Sequence, residues 1–218
     1  MNVKLVSYSA PTAEWADEGL DNLQDLIAFC AKVSNPSAQI NSATSEKLLN
    51  YLVKHQHWSP FEMVSACLEI PFCSLYPVKH QHWSPFEMVS ACLEIETTRD
   101  IAHQIVRHRS FAFQEFSQRY ANPKEMGDMF EYAQARLQDT KNRQNSIPTE
   151  NVQLIHEWTD VQDQVIAATK KAYDWAIENG IAKEQARKVL PEGLTKTRLY
   201  MNGTIRSWIH YIDLRGAN

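Results

Sequence analysis

The stretch VSACLEIETTRDIAHQIVRHRSFAFQEFSQRY, Val89 to Tyr120, carries three conformational signals in succession. Val89, Ala91, Leu93 and Ile95 alternate with Met88, Ser90, Cys92 and Glu94, the period of two that marks a strand. Thr97 or Thr98 then stands where a helix cap is expected. Ile101, Ala102, Ile105 and Val106 form an apolar arc that predicts a helix through about His108. Gln104, Arg107 and His108 fall together on the polar side of that helix. Past it the period returns to two, so Glu115, Ser117 and Arg119 are expected on one face of an extended segment, with Phe116 and Gln118 on the other. Strand, helix and strand in one short span predict a mixed helix-and-sheet fold.

Just upstream the sequence repeats itself. Val53 to Ile70 reads VKHQHWSPFEMVSACLEI, and Val78 to Ile95 reads the same eighteen residues without one substitution, separated by PFCSLYP, Pro71 to Pro77. A solenoid repeat would have drifted and would recur more than twice, so this is a duplication rather than an architecture. The first copy continues a helical pattern, Leu48, Leu49, Leu52 and Val53, behind the possible caps Thr44 and Ser45. The second runs straight into the strand-to-helix junction, which tolerates interruption less than a surface loop does. The second copy is therefore expected in the native strand, with the first extruded or paired as an extra edge strand.

The remaining elements follow from periodicity. Val3 to Tyr8 predicts a strand. Trp15 to Lys32 predicts a helix with Leu20, Leu23, Ile27 and Cys30 on one face. Asn122 to Ser146 is polar and reads as a loop with some helix. Glu150 to Asn179 predicts a long helix stopped by Gly180, with Val152, Ile155, Val165, Ile166, Tyr173 and Ile177 as core. Ala182 to Leu190 predicts a shorter helix, Thr197 to Met201 a strand, and Thr204 the cap of a last helix through about Leu214. The 218 residues, 44% hydrophobic, suffice for one domain of real core.

The net charge of −4 supplies no general field for a nucleic acid, so an anion must be held by a local group of cations. Met1 to Val6 lacks the basic-then-apolar pattern of a signal peptide, and no apolar run approaches a membrane span. The four cysteines show no CxxC spacing and read as free thiols, which with the above predicts a cytoplasmic protein.

The densest polar group is RHRSFAFQEFSQRY, Arg107 to Tyr120. Arginine forks suit phosphates and planar carbonyls because several N–H donors are fixed in one plane. The interleaved Phe111, Phe113 and Phe116 argue that the stretch is partly buried, where unpaired arginines are costly. A small phosphorylated ligand fits it, and a solvated charged surface is the plainer reading.

Arg107-His108-Arg109, the seven residues Ser110 to Phe116, then Ser117 form an RHR-x7-S pattern that resembles the signature of flavin-dependent thymidylate synthases. Glu115, Arg119 and Tyr120 match its extended form. His82-Trp83-Ser84-Pro85-Phe86-Glu87 resembles the family's upstream His-x-Ser/Thr-x-x-Glu segment. EQARKVLP, Glu184 to Pro191, and RSWIHYIDLR, Arg206 to Arg215, resemble its two later blocks in the same order. The resemblance covers the chain from about Val33 onward, apart from the duplicated insert.

The resemblance implies an α+β fold, a central, mostly antiparallel sheet flanked by helices. It implies reductive methylation of dUMP to dTMP with FAD, 5,10-methylenetetrahydrofolate as carbon donor and NADPH as reductant, in a homotetramer whose sites are shared. The triplet Arg107, His108 and Arg109 would hold the flavin, with Ser84 and Glu115 near it and His82 beside flavin and folate. Thr204, where many relatives have Asn, Arg206 and His210 belong to the same cofactor set. Gln104, Arg107, Glu115, Ser117, Arg119 and Arg187 resemble the dUMP-binding set. Arg215 matches the arginine that contacts the uracil edge and favours its ionisation at N3. Reduced flavin in that family replaces the cysteine nucleophile of ordinary thymidylate synthases, and none of the four cysteines here lies in a phosphate-binding cluster.

Besides Thr204, two further departures stand beside the match. The duplication adds a second HWSPFE at His57 to Glu62, and the chain stops at Asn218, where family members usually continue through another helix that touches FAD. They define an alternative, a catalytically impaired relative that folds and binds nucleotide without turnover. A metal site built on His55, His57, His80, His82, His103 and His108 lacks Asp or Cys at accepted ligand spacing. Trp158, Trp175 and Trp208 read as packing residues.

Overall fold

A computed structural model describes residues 4–69 and 84–216, so His80, His82 and the whole spacer between the copies lie outside the described residues. The chain divides into two compact units. Met1–Glu96, Ile105–Phe116 and Arg198–Ala217 form the first, and Thr97–Gln104 with Ser117–Thr197 make up nearly all of the second.

The first unit opens with β1 (Lys4–Tyr8), α1 (Ala13–Asp17) and α2 (Leu23–Ala31). One helix was expected over the span of the last two. Gly19 takes φ +94°, a left-handed conformation open to glycine, and Asn22 caps a fresh helix by accepting from the N–H groups of Gln24 and Asp25. The chain continues through α3 (Ser45–Lys54), β2 (Ala66–Glu69), β3 (Ser90–Thr98), α4 (Arg99–Ile105) and β4 (Ala112–Glu115). It returns as β7 (Lys196–Thr204) and α7 (Ile205–Arg215), after the elements of the second unit.

β7 is the middle strand of a three-stranded sheet ordered β3-β7-β4. It pairs with β4 antiparallel, Ala112 opposite Asn202 and Glu115 opposite Leu199. Leu199, Tyr200 and Met201 are buried in succession, the pattern of a strand covered on both faces. Its polar neighbours are satisfied across β3: Arg198 meets Glu94 and Glu96, and the Tyr200 hydroxyl donates to Glu94 Oε2 at 2.8 Å. The expected mixed fold with antiparallel pairing is present, although the sheet is small.

Both duplicates form strands. ACLE of the second copy lies inside β3 beside β7, as expected, while ACLE of the first is β2, paired antiparallel with β1. The edge-strand alternative is the one the first copy adopts. The twins meet at equivalent serines, Ser65 Oγ and Ser90 Oγ lying 2.6 Å apart.

Three local expectations are corrected. The helix after β3 starts directly past Thr98, as a Thr98 cap would have it, but ends at Ile105 rather than His108, because His108 N–H closes a tighter turn onto Ile105 O at 3.1 Å. The extended face through Glu115, Ser117 and Arg119 is not kept. Phe116 N–H makes its bond to Arg198 O at 2.8 Å, and Tyr120 and Ala121 then turn back onto Ser117 O. Alternation in β3 does not bury Leu93, which is 46% exposed.

In the second unit, the polar stretch after Asn122 contains a hairpin, β5 (Arg136–Gln138) with β6 (Ser146–Pro148). The long helix α5 (Val152–Glu178) starts at Asn151, whose side chain accepts from Leu154 N–H, and stops at Gly180, φ +76°. α6 (Lys183–Ala186) is followed by a 3-10 turn over Arg187–Val189. Ile166, Tyr173 and Ala176 of α5 join Met129, Phe130, Ala186 and Leu190 in one core. Burying each large apolar side chain there contributes about 1.5–3 kcal/mol. Val152, Ile155 and Val165, expected in that core, are exposed instead. Ile155 lies five turns from buried Tyr173 and so on the same face, so cover along α5 changes with position on the helix axis: the buried residues run from Gln162 to Ala176, beyond Val152 and Ile155.

Candidate functional site

In the first unit the Arg107 triplet hangs on an aromatic anchor. His108 N–H closes a turn onto Ile105 O at 3.1 Å, and two residues beyond the triplet Phe111 is 9% exposed. Its ring lies edge-to-face against Trp208 at 4.8 Å and Tyr211 at 5.8 Å, both on α7. Such pairs add about 0.5–1.5 kcal/mol each beyond burial. That anchor brings the end of α7 to the triplet. Arg215 Nε and Nη2 each lie 3.3 Å from His108 Nε2, and the Tyr211 ring lies 4.8 Å from the imidazole.

A guanidinium only donates, so His108 Nε2 must accept, which requires neutral imidazole. Partial burial first, and the Arg215 charge second, hold His108 below the usual histidine range. A group lowered in this way binds fewer protons folded than unfolded. Its contribution is present above the unfolded value and is lost as pH falls through the folded one. Arg215→Ala is expected to raise the His108 titration midpoint, read from its imidazole resonances by NMR; an unmoved midpoint would remove Arg215 as a cause.

Arg107 and Arg109 are exposed on either side of half-buried His108, and among the described residues neither meets a carboxylate. Their forks remain available to an external anion. Glu115 sits half-buried at the end of β4. Thr204 caps α7 as expected, its Oγ1 accepting from Ser207 N–H at 3.3 Å. Arg206 Nη1 donates to Glu87 Oε1 of the second copy at 2.8 Å, and His210 is exposed on α7. Ser84 begins a short 3-10 turn over Ser84–Glu87.

The second unit carries Gln104, Ser117, Arg119 and Arg187. Gln104 is exposed on α4, and Ser117 O receives the turn described above. Arg119 Nη2 lies 3.4 Å from Glu184 Oε2, and Lys183 Nζ donates to Tyr120 O at 3.0 Å, so this turn is tied to α6. Arg187 follows α6 one helical turn beyond Glu184, half-buried. Two arginines of the expected nucleotide set thus attach to one short helical stretch, Arg187 by sequence and Arg119 through its ion pair with Glu184.

Sequence reasoning missed several polar contacts. Gln39 Nε2 donates to Tyr200 Oη at 2.7 Å, joining the bond from Tyr200 to Glu94, and burial pushes the Tyr200 phenol upward. Ser59 Oγ donates to Gln114 Oε1 at 2.9 Å, and Asn202 Nδ2 to Glu62 O at 2.7 Å. Partners so distant in sequence leave no periodic signal. Among the described residues no three His, Cys, Asp or Glu side chains gather as a metal site, and no helix is long and apolar enough to cross a membrane.

A family model described as thymidylate synthase complementing protein matches residues 18–76 and again 73–218. The break falls in the spacer, so each match takes in one duplicate. A probable flavin-dependent thymidylate synthase of Paramecium bursaria Chlorella virus 1 is 43% identical over 218 residues, covering 100% of this chain and 86% of the relative. The flavin-dependent thymidylate synthase of Synechocystis sp. is 41% identical over 215 residues, covering 99% and 85%. A solved UMP/dUMP methylase, PolB from Streptomyces cacaoi, bound with 5-Br dUMP, aligns at 20% identity with a TM-score of 0.46, covering 97% of this chain and 76% of that one.

Proposed function

This chain belongs to the flavin-dependent thymidylate synthase family, and from that premise we propose that it is a cytoplasmic enzyme that methylates dUMP to dTMP with FAD, 5,10-methylenetetrahydrofolate and NADPH. The observation that carries the reading is the Arg107-His108-Arg109 triplet with Arg215 on the His108 imidazole, and, among the described residues, no carboxylate on Arg107 or Arg109.

That donor set fits FAD, whose diphosphate offers the anionic oxygens that exposed guanidinium forks bind best. When bound, the flavin supplies a two-electron carrier, while the folate gives the one-carbon unit and NADPH the reducing equivalents. The chain's own part is positioning and electrostatics. Arg107 and Arg109 would hold phosphate. His108 stays neutral, presenting its other ring nitrogen as an N–H donor. Arg215 would face the pyrimidine edge, where a fixed cation favours loss of the N3 proton. Arg187, and Arg119 held beside it by Glu184, would take the nucleotide phosphate, with Gln104, Ser117 and Glu115 as hydrogen-bonding partners. Thr204, Arg206 and His210 complete the proposed cofactor set, together with one copy of the His-x-Ser segment, which the resemblance alone assigns to His82 and Ser84.

The apolar stripe of Trp158, Val161 and Val165 on α5, left 39%, 48% and 42% exposed, supports assembly of several copies. A homotetramer is the proposed state.

The reading is tested by purifying the chain, recording flavin absorbance before and after incubation with FAD, and measuring dTMP from dUMP, folate and NADPH. A yellow tetramer that forms dTMP is expected. A colourless protein that takes up no FAD would sink the reading. Nucleotide and flavin binding without product would select the impaired relative.

A further inference from the structure

The duplication is an internal control: identical local sequence sits in two environments, so any difference between them comes from tertiary contacts. Met63 of the first copy is 1% exposed, and its twin Met88 is 60% exposed. Phe61 is half-buried while Phe86 is 42% exposed. Pro60 and Met63 are buried within a 3-10 turn over Ser59–Met63.

Polar contacts follow the same division. The first turn is bonded to the strands next to the candidate site: Ser59 Oγ to Gln114 of β4, and Glu62 O to Asn202 of β7. Gln114 directly precedes Glu115, on the strand that follows the Arg107 triplet. The lead-in is also shaped. Gln56 takes φ +59°, sparsely populated for a residue with a side chain, and His57 N–H bonds Leu52 O at 2.9 Å. The second turn instead meets α7, through Glu87 and Arg206. For the strand segments the roles reverse, since the second copy lies in β3 beside β7 and the first is paired with β1.

We propose that the two copies divide the work of one: the His57–Met63 turn of the first copy flanks the candidate site, with Ser59 as a positioning residue that holds it on β4, and the second copy supplies the strand. The site assignment of the expected segment therefore moves from His82 and Ser84 to His57 and Ser59. Its functional half rests on the flavin reading above, and its seating half does not.

Two measurements on the full chain test it. For seating, Met63→Ala is expected to lower Tm by about 5–15 °C, and Met88→Ala to change it by no more than about 2 °C. For function, FAD titrated by flavin fluorescence is expected to bind Ser59→Ala about 3- to 10-fold more weakly, with Tm unchanged and Ser59→Thr, which keeps the hydroxyl, restored. Met88→Ala destabilising as much as Met63→Ala would overturn the proposal, as would Ser84→Ala weakening FAD more than Ser59→Ala does. Should the unmodified chain take up no FAD, the flavin reading fails alone, and the Tm pair still decides the seating.

Discussion

Arg215→Ala is expected to lower dTMP formation about 10²- to 10³-fold, the loss typical of removing one preorganised charge-stabilising donor. Arg215 is exposed at the end of α7, and among the described residues its guanidinium meets His108. The fold does not depend on it, so Tm should be unchanged while turnover collapses. Arg215→Lys keeps the charge but loses the planar fork, and is expected to recover only part of the rate. Steady-state kinetics with dUMP saturating separate this from a binding defect. A role at the pyrimidine edge lowers kcat, whereas simple loss of affinity raises KM. Full turnover by Arg215→Ala would remove it from the chemistry.

The second large effect is on stability. A methyl group at Gly203 would come within 2.4 Å of Phe111 Cδ1 and 2.6 Å of Cε1. That ring cannot swing away cheaply, because Trp208 and Tyr211 hold it edge-on. Gly203→Ala is therefore expected to cost about 1–3 kcal/mol, the range for overpacking a well-filled core, seen as a lower midpoint in urea unfolding. Since Phe111 anchors the Arg107 triplet, FAD affinity should fall in the same variant, even below the unfolding transition. A variant with wild-type stability would mean that the close approach relaxes without strain.

Much of the site was legible because its chemistry is concentrated in short blocks. Arginines spaced as Arg107, Arg109 and Arg119 announce an anion, and the ordered blocks around them announce which family uses it. Caps were equally local: Thr204 and Gly180 act as expected, since a cap is decided within one helical turn. What failed were inferences that needed a neighbour. Val165 and Val152 looked like core because they are apolar, yet α5 buries Gln162 and Thr169 instead. Periodicity gives the face of a helix but not how far along its axis the rest of the chain covers it: Ile155 shares the face of buried Tyr173 and is still 39% exposed.

The Val89 to Tyr120 stretch by itself determined that a strand leads into a helix and a second strand, and that three cations follow the helix. Local propensity is identical in identical residues, so both ACLE segments could form strands, but the sequence left open whether the first copy was extruded or paired. Only the tertiary structure decided what each copy does. Burial of one Met63 and exposure of its twin Met88, pairing of one ACLE with β1 and of the other with β7, and the meeting of His108 with Arg215 all depend on contacts between residues far apart in the chain. Packing offers the sheet one place for a buried methionine beside β4 and one edge beside β7. Two equal sequences cannot both take them, so position in the fold, and not composition, separates their roles.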